Sequence, residues 1–382
     1  MQTVEVSPEI IRWARGRADI SLTDLVSEFP KYLEWESGSS HPTFKQLQRF
    51  SKLTYTPFGY FFLASPPEEK LPIQDFRTVG GKAPHRPSPN LLETVQMMQK
   101  RQSWLRDELI EQGRDPLTFV GSAKRRTDAA NVAEMIRGTL GLSNQWAATY
   151  SSWEKAQSAF RDCIEAVGIL VVKNGVVGND VHRKLDPEEF RGFVLCDDYA
   201  PLIFVNGRDA VSAQMFTLAH ELAHIWMGRG GLFDLADLQP ANDKAEQLCN
   251  QVAAELLIPS EELLRYATQF ADLESKISAI ASHFRVSPIV AARRALDLHL
   301  ITRDAFFKFY HQLQIANTDE ESSKGGNFYS TQYSRIGKRF ALAVLHAVHE
   351  GRLLYRDAYQ LTGLHGKVFD NFATRVESGR VE

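Results

Sequence analysis

His220-Glu221-Leu222-Ala223-His224 is the segment of this 382-residue chain whose residue types and spacing could do chemistry. Residues four apart on a helix lie about 40° from each other around its axis, so both imidazoles face one way and can share one ion. Glu221 is turned by about 100° from His220, close to such an ion yet free to act on its water as a general base. A pattern this short arises by chance in roughly two chains per hundred, so it needs support from its surroundings. A catalytic zinc takes three protein ligands and leaves a fourth place for water. Met227 and Gly230 stand where an extended H-E-x-x-H-x-x-G-x-x-H pattern would place its glycine and third histidine, which favours a carboxylate as third ligand. Glu246 is the first choice, with Glu255 and Asp243 as rivals, and Asn250 is a candidate hydrogen-bond support for a histidine. The expected centre is His220, His224 and Glu246 around Zn2+, with Mn2+ also compatible with two histidines and a carboxylate, and Glu221 as catalytic base.

These side chains need elements to hold them. Phe216, Ala219, Leu222, Ala223 and Trp226 give the segment an apolar setting, and the pattern predicts a helix over 210–227, broken at Gly228, Gly230 and Gly231. A second helix over 243–257, stopped by Pro259, carries Glu246. Ahead of them, a helix from Trp153 to Ala166 precedes three short strands, Ile169–Val172, Phe193–Leu195 and Leu202–Val205. The last of these is expected as an exposed edge that could bind a peptide as an added strand, followed by Asn206 as a turn-former or a substrate contact. The order of helix, strands and two helices is an α+β unit.

The rest of the chain reads as mainly helical. Residues 1–75 show amphipathic stretches at Ile10-Ile11-Trp13-Ala14, after a predicted N-cap at Ser21, and after Pro42-Thr43. Residues 76–90 are loop-like, and Leu91, Val95, Met98, Leu105 and Leu109 mark a long helix. Lys124, Arg125 and Arg126 read as solvated surface in a connector. Ile277 to Leu298 is either a packed helical hairpin or a helix-turn-helix, and 303–382 is helical around a polar loop near 318–326. His346 and His349 read as ordinary packing or surface residues. A net charge of −3 gives no global attraction for nucleic acid. No secretory leader or run of about 18 apolar residues is visible, and three scattered cysteines suit a reduced, cytoplasmic protein without membrane contact.

Phe216-Thr-Leu-Ala-His-Glu-Leu-Ala-His224, Glu246-x-x-x-Asn250-x-x-Ala-Ala-x-Leu-Leu-x-Pro259, Val286-Ser-Pro and Ala291-Ala-Arg-Arg294 together resemble the ImmA/IrrE family of metallo-endopeptidases. The resemblance implies a zincin-like peptidase domain with His220, His224 and Glu246 as ligands and Glu221 as base. It also implies a protein substrate, a repressor of the helix-turn-helix type or an antitoxin, whose cleavage switches on mobile-element, stress or defence genes. Arg12-Trp-Ala-Arg15, Trp35-Glu-Ser-Gly38, Pro42-Thr-Phe-Lys-Gln-Leu47 and Pro57-Phe-Gly-Tyr-Phe-Phe-Leu63 resemble the Xre/Cro-like helix-turn-helix domain often fused to such peptidases, with a connector at Pro72–Arg77 and a tail motif at Gly325–Tyr329. The resulting division is 1–75, 76–150, 151–302 and 303–382, with duplex or single-stranded DNA as ligand or activator and a homodimer both compatible with it. Only Ser27 to Glu34 separate the Leu25-Val26 and Trp35-Glu36 segments, about four residues short for a recognition helix, with Pro30 inside the gap. Residues 1–75 carry 8 Lys+Arg against 10 Asp+Glu, where a DNA reader shows a basic face. A DNA-binding regulator or nucleic-acid sensor with a non-catalytic metal centre is the competing expectation.

Overall fold

A computed structural model of the chain describes residues 3–69, 71, 87–124, 128–233, 244–270, 273–316 and 327–380. The described residues of Met1–Pro72 and Ala83–Gln96 form one compact unit and those of Met97–Glu382 another. The expected connector at 72–77, most of the loop at 76–90, Arg125, Arg126, Asp243 and the polar loop at 318–326 lie outside the described residues.

The first unit is built from α1 (Pro8–Arg17), α2 (Leu22–Glu28), α3 (Tyr32–Ser37) and α4 (Phe44–Leu53). Ser21 accepts from Asp24 N at 3.1 Å, capping α2, and Thr43 forms a capping box with Gln46 at the start of α4. Ile10, Ile11, Leu25, Trp35, Leu47 and Phe50 close one core. The turn between α2 and α3 is shorter than the sequence suggests, only Phe29, Pro30 and Lys31, because Phe29, Tyr32 and Trp35 all pack around Phe50. Both aromatic residues of the six-residue α3 are buried in this core.

In the second unit α6 (Ala129–Leu140) and α7 (Trp153–Ala166) precede the strands β1 (Leu170–Asn174), β2 (Val176–Val177), β3 (Asp180–Lys184), β4 (Gly192–Leu195) and β5 (Leu202–Asn206). Then come α8 (Val211–Met227), β6 (Gly231–Phe233) and α9 (Lys244–Leu257). The main sheet runs β1-β5-β4-β6, and β2 and β3 form a separate hairpin. The expectation that Leu202–Val205 is an exposed edge is therefore wrong. β5 is central, parallel to β1 (Leu170↔Leu202) and antiparallel to β4 (Phe193↔Phe204), and all five of its residues are buried. An unbroken apolar run shows only that both faces of a strand are covered, not which strands flank it. Among the described residues the sheet ends at β6, paired with β4 through Phe193↔Leu232. Asn206 is a turn-former: its Oδ1 accepts from Arg208 N at 3.1 Å and its Nδ2 donates to Phe190 O at 3.1 Å.

Beyond α9 lie α10 (Ser260–Ala267), α11 (Leu273–Phe284), α12 (Pro288–Asp297) and α13 (Arg303–Ala316). The segment Ile277–Leu298 is a packed hairpin, with Ser287 capping α12 and Arg285 donating to Tyr150 O. The chain then continues through α14 (Phe328–Ile336), α15 (Lys338–His349), α16 (Tyr355–Thr362) and α17 (Lys367–Glu377). The long helix α5 (Pro89–Glu111) reaches this region through Arg101, which donates to Leu361 O and Arg335 O at 2.9 and 2.7 Å. Among the described residues, no helix is long and apolar enough to cross a membrane.

α15 starts against α7. The buried Glu165 carboxylate accepts from Arg339 N at 3.3 Å, in the first turn of α15, with Gly337 (φ 88°) pressed close to Val171 O. Burial pushes the Glu165 carboxyl up to about 7, against the pull of the Arg339 amide and of Arg161. Because the folded-state value lies above the ordinary carboxylate value of 4.5, stability is lost as pH rises from 4.5 to about 7 and stays lost above. Glu165→Gln is expected to stabilise the protein by about 1–3 kcal/mol at pH 8 and to be neutral at pH 4.5. Denaturant melts of both proteins at the two pH values check this, and an equal effect at both would refute the burial account.

Candidate metal centre

α8 is buried along its length from Gln214 to Met227, wedged between the sheet and α9. Its C-terminus is fixed by Gly228 in the left-handed region (φ 64°), where a side chain would strike Gly121 and Lys124. The 121–123 segment closes the last turn, with Gly121 N and Ala123 N donating to Ile225 O and Trp226 O at 2.9 and 2.8 Å. Phe119 stacks on Trp226 with ring centres 4.6 Å apart. α9 then lies along α8 with Glu246, Cys249, Ala253 and Leu256 buried, a helical stripe that carries Glu246 inward.

This packing brings together the three side chains named from the sequence. Nε2 of His220 lies 3.2 Å from one oxygen of Glu246, and Nε2 of His224 lies 3.1 Å from the other. The two Nε2 atoms are 2.9 Å apart, and the three ligand atoms fall within 4.8 Å of one another. It is the one such cluster of His, Cys, Asp or Glu among the described residues. Glu255 is not part of it: this side chain pairs with Arg294 and accepts from Ser260 N at 3.0 Å. His346 and His349 are exposed, the latter 3.4 Å from Glu377.

The chemistry of the donor set fits a cation. Asn250 Oδ1 can only accept, so His220 Nδ1, 3.0 Å away, donates to it and leaves the Nε2 lone pair facing the cluster. Burial lowers the His220 imidazole to about 4, so it is neutral. Burial opposes ionisation of Glu246, but its close contacts with the His220 and His224 rings outweigh it and hold the carboxyl at about 2. Neutral imidazole and ionised carboxylate are the protonation states a metal needs. Asn250→Ala is expected to weaken metal binding about 10–100-fold, read by competition with a chelator. Unchanged affinity would show that the amide orients nothing.

Glu221 is fully buried beside this cluster, and neither of its oxygens has a hydrogen-bond partner among the described residues. Burial raises its pKa well above the carboxylate range, and the Glu246 charge adds to the effect. A water molecule at a metal would give such a carboxyl its missing partner. Gly192 on β4, which the sequence reading missed, lets the sheet come this close. A Cβ there would lie 2.6 Å from Thr217 Cγ2, 2.8 Å from Phe204 O and 3.4 Å from Glu221 Oε1. The available signal was a glycine heading the Phe193-Val194-Leu195 run. Cys196, 3.8 Å from His224 O, is pushed up to about 12 by burial and the neighbouring Glu221, which argues against a thiolate role.

Residues 164–296 match the family model Peptidase_M78, described as the IrrE N-terminal-like domain. They hold a peptidase-type domain. The M78-like segment contains α8, α9 and all four clustered side chains, flanked by helical regions in an α+β chain. Residues 336–375 match a second model, DUF8813, a domain of unknown function. No curated protein matches the chain.

Proposed function

We propose that this protein is a metal-dependent endopeptidase in which His220, His224 and Glu246 hold zinc and Glu221 is the general base. The observation that carries this reading is the convergence of three buried donor atoms beside a buried carboxyl with no partner among the described residues. A cation bound there would polarise the scissile carbonyl and make the attacking water more acidic. With the charge of a bound cation favouring its ionised form, Glu221 would take the proton of that water and pass it to the leaving amine, and burial favours holding the proton between the two events. The edge strand β6, paired with β4 next to Gly192, is the strand to which an extended peptide would add.

The substrate in this reading is a protein, with the repressor or antitoxin implied by the family resemblance as first choice, in the cytoplasm. The division into 1–75, 76–150, 151–302 and 303–382 belongs to the same proposal, with 1–75 derived from a helix-turn-helix domain. The burial of Tyr32 and Trp35 in a six-residue α3 supports a protein-contacting rather than a DNA-reading role for it. Metal analysis of the wild type and Glu246→Ala, with cleavage of a co-encoded repressor, tests the proposal. One equivalent of zinc, lost with Glu246, is expected. Metal retained without Glu246 would remove it as ligand, and a metal-free wild type would sink the peptidase reading.

A further inference from the structure

A cavity of about 480 Å3 lies away from the metal centre, between the β2–β3 hairpin, α14 and the turn joining α16 to α17. Its apolar wall is Val181, Phe328 and Val368, which are 57, 50 and 40% exposed, unusually open for residues of this kind gathered in one place. No acidic side chain lines it. Arg335 does, half-buried, and its guanidinium has no carboxylate partner among the described residues. Its Nη1 donates to Asn179 Oδ1 at 3.2 Å, while Asn179 Nδ2 donates to Gly363 O at 3.0 Å. That pair of bonds holds the guanidinium by one corner and leaves its Nε–Nη2 edge, the edge that suits a planar carboxylate, without a partner among the described residues. Gln332 in the cavity lining is 2% exposed, and its Oε1 lacks a hydrogen-bond partner among the described residues. A half-buried unpaired cation and a buried unpaired amide oxygen both cost stability in the empty protein, and one ligand could relieve both.

We propose that this cavity binds a carboxylate carried on an apolar body with an adjacent N–H group. The carboxylate pairs with Arg335, the N–H meets Gln332, and the apolar body covers Phe328, Val181 and Val368. An N-acylated apolar amino acid has this chemistry, and so does the C-terminal residue of a peptide. α14, which carries Phe328, Gln332 and Arg335, also packs on β1 of the main sheet, so occupancy stiffens a wall shared with the peptidase-type domain.

Titration of the full-length protein with N-acetyl-phenylalanine by calorimetry tests this without reference to peptidase activity. A single saturable site with a Kd of roughly 0.1–1 mM is expected for a ligand of this size. Its primary amide should bind at least tenfold more weakly, as should Arg335→Gln toward the free acid. Gln332→Leu removes the unpaired oxygen. It should raise thermal stability and weaken N-acetyl-phenylalanine, yet leave 3-phenylpropionate, which lacks the N–H, unchanged. An acetylated tetrapeptide ending in phenylalanine that binds tighter than the single residue would support a peptide C-terminus as the natural ligand, and equal binding a free small acid. Absence of saturable binding of both probes to the wild type overturns the proposal, as does an Arg335→Gln protein that is folded and binds like the wild type.

Discussion

Glu221→Gln is expected to keep one equivalent of metal and lose about 10^3-fold or more of its cleavage rate. In the proposed mechanism the proton passes from water to the leaving amine through this one side chain, the buried carboxyl beside the three ligands that is not itself one of them. The substitution separates chemistry from structure unusually well. Glu221 makes no hydrogen bond that glutamine would break among the described residues, and burial already disfavours its charged form. A neutral amide of the same shape should therefore leave stability unchanged or raise it. Glu246→Ala should behave in the opposite way. It removes the carboxylate that spans the two imidazoles, so metal and activity disappear together. A Glu221→Gln protein that cleaves at the wild-type rate would remove the residue from the mechanism. One that loses its metal would place Glu221 among the ligands.

The cluster of His220, His224 and Glu246 was legible because its geometry is local. Two histidines four residues apart on one helix need no knowledge of the fold to be placed together, and Glu246 sits on the inward stripe of the next helix. The Ser21 cap was legible for the same reason, since it acts on a donor three residues away. What failed depends on distant neighbours. The run Leu202–Val205 is equally apolar at an edge or in the middle of a sheet, and only its pairing with both β1 and β4 settles that it is central. β6 is three residues long, too short for a periodic signal. Gly192 and Gly228 are required by atoms of Thr217 and Gly121, which are far off in sequence. Of the basic trio at 124–126 only Lys124 is described, and it is exposed; just before it the backbone of 121–123 closes the end of α8.

Arg294 exemplifies a charge whose role is fixed by what surrounds it, and its removal should have the largest effect on stability. It is 7% exposed on α12, and its guanidinium pairs with Glu255, donates to Ser260 Oγ at 2.7 Å and to Ile258 O at 3.1 Å. Arg137 reaches the same place from α6, donating to Glu255 O at 2.9 Å. Four helices, α6, α9, α10 and α12, thus meet around one buried ion pair. Arg294→Met would strand the Glu255 carboxylate, 8% exposed, with only Ser260 as partner. A loss of about 3–5 kcal/mol in denaturant unfolding is expected. Arg294→Met combined with Glu255→Leu should recover part of that loss, since neither charge is then left alone in the core. Glu246 lies nine residues before Glu255 on the same helix, so the single variant should also bind metal more weakly than the double. A single variant costing under about 1 kcal/mol would mean that solvent reaches this pair, and the end of α9 would then have to be held by apolar packing alone.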